Sequence, residues 1–336
     1  MLRADAMGFE MVVFLVTVAL AFDFMNGFHD AANSIATIVS TGAMRPPHAV
    51  AWAAAFNFVA FLVFGVAVAT TIGRGIIDPA IVDHRVIFGA LVGAIAWGVI
   101  TWYYGIPSSS SHALVGGLAG AAVAKGGVGT LIAPGLLKTA AAIILSPAFG
   151  FILAAALMIA VSWIFRRATP RRVDRWFRSL QFVSAAAYSL GHGGNDAQKT
   201  MGIIWMLLIA AGHAAQADPL PFWVVIACQA AMGLGTLFGG WRIVKTMGMR
   251  ITKLRPQGGF CASASGAATL FLATGLGVPV STTHTITGAI VGVGSVRKLS
   301  AVRWGVAGSI VWAWIFTIPC SAFIAGVAWW FAAHYL

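Results

Sequence analysis

Long apolar runs, most near or above twenty residues, alternate along the chain with short polar or basic breaks. The first covers about 8–44 and is interrupted only by Asn26-Gly27-Phe28-His29-Asp30. Others cover about 48–71, 86–104, 131–165, 182–211, 221–241, 260–275 and 301–335. Ser146-Pro147 breaks the fourth of these, and a small-residue, glycine-rich stretch precedes it up to Ala124. A helix needs about 20 apolar residues to cross a bilayer, so the pattern predicts an all-α integral membrane protein with roughly 9–12 embedded segments.

Composition removes the alternatives. Of 336 residues, 60% are hydrophobic and 9% charged, against about 25% charged in soluble domains. That excludes a soluble enzyme, a disordered chain and a disulfide scaffold. Cys228, Cys261 and Cys320 stand alone in apolar runs with no Cys-x-x-Cys pattern, so they read as small buried hydrophobes. The net charge of +12 sits between the apolar runs. It therefore signals topology rather than nucleic-acid binding. The first run follows Asp5 and Glu10, not a basic segment, which argues against a cleavable signal peptide.

The chain repeats itself. Residues 26–33 align with 192–199, pairing Asp30 with Asp196 and Asn33 with Lys199. Pro107–His112 aligns with Pro279–His284, and at that same offset Asn57 falls on Gln229, Gly116 on Gly288 and Pro147 on Pro319. Such matches at only two offsets point to an internal duplication. Arginines 166, 167, 171, 172, 175 and 178 and the basic loop 242–255 are expected in the cytoplasm. The first-half equivalent of that loop, residues 73–85, is neutral and fits the outside. Equivalent loops on opposite sides imply two inverted repeats, residues 1–165 and 181–336, joined by a basic linker at 166–180, with the N-terminus outside. Parity then calls for two tilted spans within 131–165, turning near Pro147. It also places Arg297, Lys298 and Arg303 outside, against the positive-inside rule.

The two Pro-Ser/Thr stretches are too polar to face lipid, so each is expected to form a re-entrant helical hairpin, at about 105–124 and 277–294. Their tips, Ser109, Ser110 and Ser111 in one half and Ser281, Thr282 and Thr283 in the other, open a half-helix. Its unpaired N–H groups and positive dipole end suit an anion. Ordinary capping of a buried break is the alternative use of these hydroxyls. Asp30 and Asp196 are the acids flanked by apolar helix and paired by the repeat, and intramembrane acids are functional candidates by default. Asp30 with Asn33 shares one helix face and fits a monovalent cation or a proton. Lys199 stands at the matching place beside Asp196, either as a fixed cation in the second site or as half of a structural ion pair. His29 and His192 are candidate proton relays or satisfied polar core residues. His112 and His284 are expected to brace the hairpins, and Asn57 and Gln229 to contact ligand or a neighbouring helix.

At these residues the sequence resembles the inorganic phosphate transporter family, in particular its bacterial low-affinity, proton-coupled type. The resemblance rests on Gly27–Asn33 and Gly193–Lys199, matching a Gly-x-Asn-Asp-x-x-Asn-like motif, and on Pro107–His112 and Pro279–His284. It covers nearly the whole chain. It implies a multi-pass secondary transporter, not an enzyme, in a bacterial inner (plasma) membrane. It also implies a homodimer with inorganic phosphate and membrane lipid as partners and no nucleic acid. Asp30, Asn33, Asp196, Lys199, His29 and His192 would serve ion or proton coupling. The hairpin tips and Asn195 would bind phosphate. His29, Lys199, Asn57 and Gln229 depart from the sodium-coupled pattern, so the coupling ion is expected to be a proton rather than sodium. No resident cofactor or metal is expected, although a divalent metal could travel with phosphate as a complex.

The same residues admit three other readings. A sulfate permease of the same fold is a close alternative, since hairpin dipoles discriminate poorly between tetrahedral oxyanions. A serine hydrolase built on Ser109–Ser111 and His112 lacks a nucleophile elbow. A passive channel would have no use for paired buried carboxylates.

Overall fold

The computed structural model describes residues 7–335; Asp5 lies outside the described residues. Twelve α-helices carry the described chain. The first half holds α1 (Phe9–Ser40), α2 (Pro46–Phe58), α3 (Ala67–Gly75), α4 (His84–Tyr104), α5 (Ser110–Gly126) and α6 (Ala133–Ile164). The second holds α7 (Pro170–Ala210), α8 (Phe222–Phe238), α9 (Trp241–Lys245), α10 (Pro256–Gly275), α11 (Thr282–Arg297) and α12 (Trp304–Tyr335). Helices α1, α4, α6 and α12 are long and apolar enough to cross a membrane. The pairs α2–α3 and α8–α9 are bent by 84° and 62° and would bring the number to six if each is one span. With so many apolar side chains on the outside of the bundle, among them Ile144, Ile152, Ile159, Trp312, Ile315 and Phe323, the surface suits hydrocarbon.

Sequence symmetry becomes packing symmetry. Helix α5 packs on α12 while its counterpart α11 packs on α6, and α1 packs on α8 while α7 packs on α2. Small residues at matched positions allow the close approach. A Cβ on Gly27 would meet Met232 O at 2.1 Å, and one on Gly193 would meet Asn57 O at 2.4 Å.

Helices α4 and α5 run antiparallel, with Lys125 at the end of α5 ion-paired to Asp83 at the start of α4 (2.7 Å). The turn between them is set by Gly105 at φ 66°, and the matching turn between α10 and α11 by Gly277 at φ 63°. A left-handed residue ends a helix without a Cβ clash only when it is glycine or nearly so.

One expectation is overturned. The region 131–165 is a single helix, not two spans turning at Pro147, which lies inside α6. Proline removes one helical N–H and frees the carbonyl four residues earlier. Here that carbonyl belongs to Ile143, on a stretch of α6 packed closely against α11, where a Cβ on Gly288 would meet Pro147 O at 2.1 Å. Neighbouring helices that re-satisfy the freed group let a membrane helix continue through proline.

The return of α11 to the start of α10 also moves the loop at 297–303. Arg297 donates to Lys253 O (3.2 Å), Thr252 to Ala301 O (3.0 Å), and the Arg303 N–H to Ile251 O (2.9 Å). The loop therefore sits at the same end of the bundle as 242–255, not at the opposite one. The matched loops 73–85 and 126–132 meet in the same way, through Asp78 N–H to Thr130 O and Ile132 N–H to Ile76 O.

Candidate functional site at the paired helix starts

Helices α5 and α11 begin deep inside the bundle. Ser109 caps α5 by accepting from the His112 N–H (3.3 Å), and Ser281 caps α11 by accepting from the His284 N–H (3.2 Å). These two hydroxyls are thus spent on the backbone, as the capping alternative anticipated. Ser110 and Thr282, the residues directly after them, are not. Ser110 donates to Asp30 Oδ2 (3.0 Å), and its counterpart Thr282 donates to Asp196 Oδ2 (3.0 Å). Asn33 donates across to the second half, to Thr283 (2.9 Å) and Thr282 (3.3 Å). Lys199, at the matching place, donates to Ser111. Ser111 in turn donates to Val280 O (3.2 Å), and Thr283 to Ser108 O (3.1 Å). The duplication therefore reproduces a hydrogen-bond set, with Asn33 in one copy and Lys199 in the other as the main difference.

That difference is electrostatic. Lys199 also donates to Asp196 Oδ1 and to Val280 O (2.9 Å), and it is buried to 1% exposure. A buried ammonium is tolerable only with such partners. Asp30 has no lysine. Its Oδ1 lies 2.7 Å from His29 Nδ1, and His29 Nε2 lies 3.2 Å from Thr101 Oγ1.

His192 bridges the two halves. Its Nδ1 reaches Asn57 Oδ1 (3.2 Å) and Ser34 Oγ (3.3 Å), while Nε2 is 3.3 Å from Asp196 Oδ2 without hydrogen-bond alignment. One ligand atom from each of Asp30, His192 and Asp196 falls within 4.8 Å of the others. Two carboxylates and an imidazole at that spacing can hold a cation or share protons.

Asn195 sits beside the loop, not at the tips. It donates to Thr274 (3.0 Å) and Val278 O (3.2 Å) and accepts from the Val280 N–H (3.3 Å). Asn57 donates to Thr236 (2.9 Å), and Gln229 reaches Gly193 O (3.5 Å), so both join helices. The rings of His112 and His284 meet edge to face at 4.6 Å, and His284 stacks on Trp314 at 3.7 Å.

Thr101, Ser108, Tyr188 and Asp23 escape the sequence reading. Tyr188 donates to Thr282 O (2.9 Å) and steadies the start of α11. Thr101 and Ser108 are ordinary polar residues in apolar or serine-rich context and carry no distinguishing pattern. Asp23 did carry a signal, an acid inside an apolar run, but the repeat places Ser189 opposite it, so pairing by symmetry passes it over.

Two helix starts, lined by hydroxyls and closed by paired acids, suit a tetrahedral anion moving with a cation. A family model described as the phosphate transporter family matches residues 26–325. The chain belongs to the phosphate transporter family. It is 64% identical over 327 residues to a probable low-affinity inorganic phosphate transporter of Rhizobium meliloti, covering 97% of this chain and 98% of that one. It is 48% identical over 320 residues to a protein of the same description from Bacillus subtilis, covering 95% and 96%. In fold it is similar to a solved structure described as the sodium-dependent phosphate transporter. That match has a TM-score of 0.89 at 24% identity, covering 97% of this chain and all of that one. The protein is thus a multi-pass membrane transporter and not an enzyme, with phosphate as its transported substrate.

Proposed function

We propose that this chain imports inorganic phosphate into a bacterial cell across the inner membrane, coupled to protons, by alternating access between two inverted repeats. The hairpins expected at about 105–124 and 277–294 need wider bounds, because Ser110–Gly126 and Thr282–Arg297 are each one helix; in this reading the re-entrant hairpins are α4–α5 and α10–α11, entering from opposite faces. Residues 1–165 and 181–336 are the repeats, the 166–180 linker is cytoplasmic, and the unit is a homodimer. Phosphate sits between the starts of α5 and α11, held by backbone N–H groups and by Ser110, Ser111, Thr282 and Thr283. Asp30, with His29 and Asn33, and Asp196, with His192, answer for the charge that travels with it. A protonated phosphate oxygen donates a hydrogen bond that sulfate lacks, and an acceptor such as Asp30 favours phosphate on that ground. A divalent metal paired with phosphate would enter as part of the cargo.

The observation that carries the reading is the symmetric pair Ser110–Asp30 and Thr282–Asp196 at two buried helix starts. Proton rather than sodium coupling is supported by Lys199, whose ammonium takes Asp196 Oδ1, Ser111 and Val280 O. Those oxygens would otherwise be open to a sodium ion. The sodium-dependent neighbour in fold makes sodium coupling the reading to exclude.

The test is labelled-phosphate uptake into proteoliposomes under an imposed proton or sodium gradient, with sulfate as competitor. Proton-driven, sulfate-resistant accumulation is expected. Sodium-driven uptake would overturn the coupling, and sulfate-sensitive uptake the substrate selectivity.

A further inference from the structure

A third buried acid lies on the same helix as Asp30. Asp23 has no exposed surface and sits seven residues before Asp30, two turns away along one face of α1. Around it are Thr200 on α7, Asn26 on its own helix and the Cys228 thiol on α8. Neither carboxyl oxygen makes a hydrogen bond, and the same holds for both amide atoms of Asn26 and for the Thr200 hydroxyl. Five unpartnered polar atoms from three touching residues are a different situation from Asp30 and Asp196, whose oxygens are engaged. Asn26 also lines a crevice with His29, Ser108 and Ser110, which connects this cluster to the neighbourhood of Asp30.

The charged and titratable groups that face Asp23 from the helices packed on α1 are Asp196 and Lys199 on α7 and Cys228 on α8. Lys199 is already bound to Asp196. On α1 the nearest are His29 and Asp30, which are bonded to each other and to Thr101 of α4 and Ser110 of α5. No fixed cation is therefore left to neutralise Asp23 among these groups. An ionised carboxylate without hydrogen bonds or counter-charge in a membrane interior costs several kcal/mol, so the group takes up a cation instead. The side chains of Asp23, Asn26 and Thr200 offer four oxygens between them, few for sodium but ample for one O–H donor.

We propose that Asp23, with Asn26 and Thr200 as its hydrogen-bond partners, is a proton-binding site distinct from the Asp30–Asp196 pair, and that it carries a proton co-transported with phosphate. The proposal rests on the proton-coupled reading above. The proton is taken from water on the face to which the site is open and bonds to one Asp23 oxygen. Its O–H is then accepted by Asn26 Oδ1 or Thr200 Oγ1. The proton returns to water on the opposite face, so no other bond changes and no charge is left behind.

The experiment compares wild type with Asp23→Asn, reconstituted and checked for monodispersity. Two readouts keep the proposal apart from the transport reading. Infrared difference spectra at neutral pH should show a carboxylic-acid C=O band in wild type that Asp23→Asn removes. In proteoliposomes, Asp23→Asn should lose accumulation driven by a pH gradient while phosphate exchange at equal concentrations persists. Absence of the band, or wild-type accumulation in Asp23→Asn, overturns the proposal. So does a sodium-driven uptake that the substitution abolishes, because the site would then be a sodium site. If Asp23→Asn fails to fold, Asp23→Glu serves: its carboxyl band should shift and its uptake keep a displaced pH profile, and an unmoved band and profile overturn the proposal. A wild type that transports no phosphate but shows the band defeats the transport reading and not the proton site.

Discussion

At the scale of single residues the two halves differ where their chemistry has to differ. Asn33 and Lys199 occupy matched places and bond matched hydroxyls, Thr283 and Ser111, yet only one of them brings a charge. Lys199→Asn leaves Asp196 with its bond from Thr282 and without a counter-charge. A diffusible cation should then become stabilising there, and phosphate uptake by this variant should gain a dependence on sodium that wild type lacks. An unchanged ion profile would make the ion pair structural only. Asp30→Asn keeps the shape of the Ser110 contact but removes the charge, as Asp196→Asn does beside Lys199. Each should abolish gradient-driven accumulation while leaving detergent-extracted protein of normal yield and elution. Wild-type accumulation by either variant takes that carboxylate out of coupling. Removing one partner of a buried pair also costs stability, so Asp196→Asn should melt lower than Asp30→Asn in a thermal-shift series.

At the scale of elements, helices α5 and α11 are held by close backbone contact as much as by side chains. A Cβ on Gly288 of α11 would meet Pro147 O of α6 at 2.1 Å, and one on Gly116 of α5 would meet Ile318 O of α12 at 2.6 Å. Neither obstacle is a flexible side-chain end. Gly288→Val should therefore force α11 from α6 and lower both melting temperature and transport. Ser281→Ala, which removes only the cap of α11, should cost about 1 kcal/mol of stability and leave transport largely intact. Equal losses in the two variants would mean that the cap, too, serves the substrate. The sequence made these elements legible through Gly116 and Gly288, the two serine runs and the repeat offsets, because duplication and polarity at membrane depth both leave marks in residue identity. It misled at Pro147. Whether proline ends a helix depends on what packs around it, and α11, far along the chain and closely packed on α6, is invisible to local pattern. Asp23 carried a signal as an acid in an apolar run, but without a symmetry mate it looks like an exception until its neighbours are known.

At the scale of the whole molecule, the basic loops decide orientation, and the structure gathers them more completely than their order in the chain suggests. With α11 returning to the start of α10, Arg297, Lys298 and Arg303 share an end with 242–255 through the Arg297–Lys253 and Arg303–Ile251 contacts. The same end holds Arg178, bonded to Gly42 O at the close of α1. The exception to the positive-inside rule disappears, and the bundle acquires one strongly basic face. The opposite face carries Asp78, Asp83 with Lys125, and Asp218, bonded to the Ala215 N–H. A cell that keeps its interior negative and its cytoplasmic leaflet anionic is expected to retain the basic face inside. Single cysteines placed at Ser300 and at Ala168, in a background lacking Cys228, Cys261 and Cys320, should react with a membrane-impermeant maleimide only after the membrane is opened. Cysteines at Ala80 and Gln216 should react in intact cells. Reversal of both pairs would invert the orientation. A split in which position 300 reacts from outside and 168 does not would place the 297–303 loop across the membrane from the linker, and the return of α11 to the start of α10 would be overturned.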